Sequence, residues 1–247
     1  MNGRFIANLG VAMLFRSSRV SLDLALGVLL LCLSHVAAAQ STGLLYDPEP
    51  PADSAYVRVL LASRGEAVNI EVDGKSRISK LGAGEASDYM VLTAGKHVIA
   101  VSSVGKPTAH VSATIDVVRG RAITVAFPAL KADAAPVIFE DKANSNKLKA
   151  LLAVYHLDPK SGALDVLTAD GSVKVFSGVA YGASASLQVN PISIDLIATT
   201  AGDKVPKGRV SLAMAQGGTY SVILLSAEGG KLVVRALQNK IERYTGK

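Results

Sequence analysis

The chain has 247 residues, 26 Lys and Arg against 20 Asp and Glu, a formal charge of +6 and 49% hydrophobic residues. That hydrophobic share supports a sizeable core and excludes global disorder, and 5% aromatics with no Trp argue against a ring-stacking platform for sugars or single-stranded nucleic acid. The single cysteine, Cys32, excludes a disulfide framework and a Cys-based zinc site.

Residues 1–39 are expected to be a secretory signal peptide. Arg16 and Arg19 precede an apolar run over 22–33, and Ala37-Ala38-Ala39 supply the small residues of a cleavage site before Gln40. About a dozen apolar residues are too few to cross a bilayer core that needs roughly 20. Cleavage removes Arg4, Arg16, Arg19, Asp23 and Cys32, lowers the formal charge to +4, and sends a cysteine-free protein to the periplasm. No block of like charges follows, so nucleic acid is not an expected partner.

The segment 44–51 contains Tyr46, Pro48, Pro50 and Pro51, and its prolines favour extended backbone along a sheet edge. From Tyr56 onward the texture is strand-turn-strand. Alternation over 56–61 and 68–72 runs into Asp73-Gly74, the signal of a hairpin with positive φ at both central residues. Further runs over 87–92, 97–102, 109–118 and 122–127 complete a first β-sandwich, residues 40–134. Pro136 and a Lys/Asn/Ser run make 135–148 the expected linker. Residues 142–152 admit a short helix, against which Asn144-Ser145-Asn146 argues.

Residues 149–247 repeat the scheme. Runs over 151–156, 164–167, 173–176, 192–199, 210–214, 220–225 and 231–237 are separated by Asp170-Gly171, Gly217-Gly218 and Gly229-Gly230. Asp73-Gly74 corresponds to Asp170-Gly171, Gly84 to Gly182, Ile99 to Ile194 and Val125 to Val222, all at nearly one offset. The expected fold is therefore all-β, two tandem β-sandwiches of Ig-like or jelly-roll-like type joined by a short linker and related by duplication.

Chemistry-bearing patterns are sparse. His97, His110 and His156 all sit in strand patterns, and read as histidines with ordinary hydrogen bonds rather than a metal set. Gly182-Ala183-Ser184-Ala185-Ser186 lacks the second glycine of a nucleophile elbow, and Gly82-Ala83-Gly84 lacks the third glycine and helix of a dinucleotide loop. The acidic residues lie mostly in turns. No catalytic residue, cofactor or metal is assigned, and the chain is not expected to be an enzyme.

Leu45-Tyr46-x-Pro48-x-x-Pro51-x-x-Ser54-Ala55-Tyr56-Val57-Arg58-Val59 resembles the mature start of the alginate biosynthesis protein F family. Phe139 with Asn144 and Lys147, Thr168-Ala169-Asp170-Gly171, and Asn190-Pro191 resemble its later segments, and the chain departs from the family after Lys231, where basic residues are more frequent. The resemblance implies a non-catalytic periplasmic adaptor of exopolysaccharide O-acetylation. Its implied partners are a triad-bearing periplasmic acetyltransferase and a membrane acyltransferase. The anionic polysaccharide is the alternative ligand, bound by a carbohydrate-binding module. Tyr46, Pro48, Pro51 and Arg58 are the candidate partner-binding residues.

Overall fold

The computed structural model describes residues 51–106 and 108–245, which fall in one compact unit. The signal peptide, Tyr46 and Pro48 lie outside the described residues. The first half forms β1 (Ser54–Leu61), β2 (Val68–Val72), β3 (Lys75–Leu81), β4 (Met90–Thr93), β5 (Gly95–Ser103), β6 (Ala109–Val117), β7 (Ala122–Phe127) and β8 (Val137–Asp141). One sheet has the order β4-β1-β7-β8 and packs on a second, β3-β2-β5-β6. The second half forms β9 (Ala150–Leu157), β10 (Leu164–Thr168), β11 (Lys174–Val179), β12 (Ser184–Val189), β13 (Ile192–Thr200), β14 (Gly208–Met214), β15 (Thr219–Ser226) and β16 (Leu232–Gln238). Its sheets, β12-β9-β15-β16 and β11-β10-β13-β14, repeat the first order strand for strand. Each strand starts 94–99 residues after its counterpart. The parallel pairs also correspond, β1 with β7 and β9 with β15. Two tandem sandwiches of one topology result, as the repeated landmarks imply.

The Asp73-Gly74 hairpin joins β2 to β3 with φ of 53° and 74°, the left-handed pair that a two-residue turn of this hand requires. Residues 135–148, by contrast, are not a free linker. Val137–Asp141 is β8, paired antiparallel to β7, because Val137 and Phe139 carry enough apolar surface to complete the sheet despite Pro136. Nor is 142–152 helical. The Asn144 amide donates to the carbonyls of Lys149, Gly217 and Gly218 and fixes the connection as a turn, and Ala150 already opens β9.

Three apolar clusters stack through the molecule. One fills the first sandwich around Val59, Ile70 and Phe127, and one the second around Leu152, Val166 and Leu224. The third lies between the sandwiches, where Leu60, Ala126 and Phe139 meet Tyr155, Leu157 and Ile223. The β1 and β9 sheets are therefore middle layers, covered on both faces. That explains why β9 is buried at all eight positions: strands covered on both faces read as continuous apolar runs. The Phe139 and Tyr155 rings meet edge to face at 5.1 Å across this seam.

The chain after β16 crosses back to the first sandwich. The Tyr89 N–H donates to the Lys240 carbonyl, the Glu242 N–H donates to the Tyr89 carbonyl, and the Val91 N–H donates to the Glu242 carboxylate. Glu242 also pairs with Arg77. The basic stretch after Lys231 thus caps the free edge at β4.

Candidate functional site: the seam between the sandwiches

Arg58 has 0% exposure, so it cannot belong to an exposed partner-binding strip. Tyr56, Arg58 and Leu60 alternate onto the β1 face that meets the second sandwich, opposite Val57, Val59 and Leu61 in the first core. The guanidinium donates from Nε to Thr124 Oγ1 at 2.7 Å, from Nη1 to Asn239 Oδ1 at 2.6 Å and from Nη2 to Ser221 Oγ at 3.0 Å. The rings of Tyr89 and Tyr155 lie 4.8 and 5.2 Å from it.

The balancing charge is Asp141, at the end of β8. Its carboxylate accepts from Tyr89 at 2.8 Å, from Thr124 at 2.6 Å and from Tyr155 at 2.7 Å. Thr124 therefore relays between cation and anion, accepting from one and donating to the other. Burial pushes both tyrosine hydroxyls far above their ordinary range, with Arg58 opposing and Asp141 reinforcing the rise. Both stay protonated donors, as the network needs. Arg58, Tyr89, Thr124 and Asp141 come from the first sandwich, and Tyr155, Ser221 and Asn239 from the second half of the chain.

A cleft of about 490 Å3 opens where this network reaches the surface, within the range of small-molecule sites. Tyr56 and Tyr89 form an aromatic part of its wall, and Asn144 and Asn239 supply amides. Lys142, Lys147 and Lys240 surround it, exposed and with no ion-pair partner among the described residues. Arg121 and Glu140, also at the mouth, neutralise each other.

A second concavity, about 500 Å3 and almost wholly apolar, lies between the edge strands β11 and β12. Val175, Leu187, Val189 and Ile194 line it, and Val173 and Ile192 stand at its rim, 54% and 50% exposed.

Of the residues singled out by sequence, Pro51 is exposed and accepts the Ser54 N–H at the start of β1, away from the network that holds Arg58. The histidines do not converge. His97 bonds Asp73 and the Thr93 carbonyl, and His110 bonds Ser103. His156 bonds the Val179 carbonyl, and its Nε2 is buried without a protein partner. Among the described residues no group of three His, Cys, Asp or Glu stands close enough to hold a metal ion. Sequence periodicity does not find Tyr89, Thr124, Asp141, Tyr155, Ser221 or Asn239. A signal exists for three of the network residues: Arg58, Thr124 and Ser221 each interrupt an otherwise apolar central strand.

The profile of the family described as "Alginate O-acetyl transferase AlgF" matches residues 28–221. The alginate biosynthesis protein AlgF of Azotobacter vinelandii is 29% identical over 183 residues, 74% of this chain and 78% of that protein. The protein of the same description from Pseudomonas aeruginosa is 27% identical over 215 residues, 87% and 90% of the two chains. Among solved structures, the C-terminal domain of AlgF from P. aeruginosa covers 38% of this chain and 100% of its own at 24% identity, with a TM-score of 0.31.

Proposed function

The chain belongs to the alginate O-acetyl transferase AlgF family, and from that premise we propose that it serves alginate O-acetylation as a non-catalytic periplasmic adaptor. In this reading residues 1–39 export it, and it holds a triad-bearing acetyltransferase beside the membrane acyltransferase that supplies acetyl groups.

The observation that carries the reading is an asymmetry between two duplicated edges. In the first sandwich the β4 edge is closed by the chain's own tail, through the parallel bridge of Tyr89 with Ile241. In the second, the equivalent edge strand β12 pairs, among the described residues, with β9 alone and borders the apolar concavity. The fold therefore already accepts an added extended segment at one copy of this edge. An open edge beside apolar pockets suits strand addition, in which main-chain hydrogen bonds give affinity and alternate side chains fill the groove. The occupant proposed is an extended segment of the acetyltransferase, with apolar residues at alternate positions.

The test is co-purification of the full chain with the acetyltransferase, using Val173→Lys/Ile192→Lys to charge the exposed rim without touching the core. We expect capture by wild type, its loss in the variant and an unchanged melting temperature. A wild-type chain that captures no acetyltransferase, or a variant that captures it equally well, would overturn the reading.

A further inference from the structure

We infer that a smaller concavity at the sandwich seam, at the far end of β1 from the lysine-ringed cleft, binds the phosphoryl group of a phosphomonoester or of inorganic phosphate. The site shares no residue with the β12 concavity, and the inference takes nothing from the adaptor reading.

The concavity holds about 160 Å3 and forms where Ser63 and Arg64, just past β1, and Gly84, between β3 and β4, meet Leu225 and Ser226 of β15 and Arg235 of β16. Its charged lining residues are two arginines, one from each sandwich, both exposed and neither with an ion-pair partner among the described residues. The nearby Glu85 carboxylate is engaged by the Gly82 N–H at 2.9 Å. Both cations are held in place by the backbone around them. The Ser63 N–H donates to the Phe127 carbonyl at 2.9 Å and fixes the base from which Arg64 extends. The Gly84 N–H donates to the Leu61 carbonyl at 2.7 Å, and a Cβ on Gly84 would stand 2.7 Å from Arg235 Nε. Glycine at that position therefore lets the Arg235 side chain lie across the seam against the first sandwich's backbone. Two like charges facing one small concavity repel each other, and an anion between them removes the repulsion.

A second, independent observation points to a ligand. Ser63 is 7% exposed, and its Oγ and that of Ser226 are both buried with no hydrogen-bond partner among the described residues. Buried hydroxyls normally have a partner, and these two orphans belong to residues lining one concavity. A serine hydroxyl turns about a single bond and here has no partner to leave, so each is available to a guest oxygen. The donor set then selects among anions. Two guanidinium forks from different strands offer paired N–H groups in two planes, with two hydroxyls beside them. A carboxylate has two oxygens in one plane and is filled by one fork, whereas the three or four terminal oxygens of a phosphomonoester or phosphate take both. Size narrows the choice further. Sites that enclose a small organic ligand measure about 300–1,000 Å3, so this one admits the phosphoryl group while anything attached to it stays outside. Inorganic phosphate and the monoester headgroup of a phospholipid present the same oxygens to the same forks.

The test titrates the full chain with inorganic phosphate by calorimetry, at ionic strength held constant with chloride and with acetate in parallel, and follows the melting temperature in each. Phosphate should bind saturably and raise the melting temperature with concentration, and acetate should do neither. Arg64→Gln and Arg235→Gln should each weaken phosphate binding about tenfold. Ser63→Ala/Ser226→Ala should also weaken it, without lowering the melting temperature in chloride, because neither hydroxyl has a protein partner to lose. If Arg235→Gln disturbs the seam and melts early in chloride, the exposed Arg64 carries the comparison. Flotation with phosphatidylcholine vesicles, with and without phosphatidic acid, separates the two sources. Flotation that requires phosphatidic acid and is lost in Arg64→Gln identifies a lipid headgroup, and phosphate binding without flotation identifies the free anion. No saturable phosphate binding together with no flotation, variants that bind as wild type does, or an equal response to acetate would overturn the inference.

Discussion

Arg58 is a charge taken wholly out of water. A guanidinium at 0% exposure forfeits its hydration, and the loss is offset only if donors and charge are both answered. Three donated hydrogen bonds, two tyrosine faces and the Asp141 carboxylate supply that answer. Removing the cation alone leaves the half-buried Asp141 against three hydroxyls with no balancing charge. Arg58→Met should therefore destabilise the fold by about 3–5 kcal/mol, read from chemical denaturation. Arg58→Lys should recover little, because one ammonium cannot reach Thr124, Asn239 and Ser221 along three directions. Arg58→Met/Asp141→Asn should cost less than the two single changes summed, since the second removes the orphaned charge. A loss below about 1 kcal/mol for Arg58→Met would place it among ordinary surface changes and refute the network's structural role.

The β2–β3 hairpin shows how one element couples to pH. Asp73 at the turn accepts the Val98 N–H at 2.8 Å and faces His97 Nδ1 at 2.7 Å, and His97 Nε2 sits 2.8 Å from the Thr93 carbonyl. An imidazole between two acceptors needs both ring hydrogens, which is the charged form. Burial opposes that charge, but Asp73 and Thr93 outweigh it and hold the His97 pKa above its ordinary value. The Val98 N–H first, and His97 second, hold Asp73 below the carboxylate range. The His97 contribution is complete below its unfolded pKa and is lost as pH rises through the folded one; the Asp73 contribution is lost as pH falls through its lowered value. The melting temperature should thus fall modestly between about pH 6 and pH 8, and Asp73→Asn should flatten that slope, with the His97 ring titrated by NMR alongside. A slope that survives Asp73→Asn would rule the pair out as its source. This turn was legible because Asp-Gly between alternating runs has one good backbone solution. The strand β8 was not, because Pro136 and the charges at 140–142 hide a five-residue strand whose partner is known only once β7 is placed. Arg58 was misread for a related reason. As a candidate partner-binding residue Arg58 needs an exposed position, whereas the β1 face it shares with Leu60 packs on another sandwich. Tyr89, Asp141, Tyr155 and Asn239 stand far apart in sequence and meet only through that packing.

For the whole molecule, duplication set up a problem of cooperativity that the seam resolves. Two sandwiches on one chain unfold independently unless their contact is large and well packed. Here the contact is an apolar cluster around Phe139, Tyr155 and Ile223, a buried ionic network, and the tail laid across the β4 edge. Gly84 adds a close approach, since with φ +75° a Cβ there would stand 2.7 Å from Arg235 and 3.1 Å from Leu225 of the second sandwich. The two halves should therefore melt in one transition by calorimetry, with the calorimetric and van't Hoff enthalpies equal. Deleting residues 239–247 tests the same point from the other side. It removes the Asn239 acceptor that Arg58 and Ser221 share and the strand-like cap on β4, without removing any residue of either sandwich core. If the seam couples the halves, the single transition should move down as a whole, on the order of 10 °C for a loss of several kcal/mol in a chain of this size. If the halves are independent, the transition should split, with only the first sandwich melting early because its β4 edge alone has lost a partner. That second outcome would separate the sandwiches in function as well, and the open β12 edge would then have to act from the second sandwich alone.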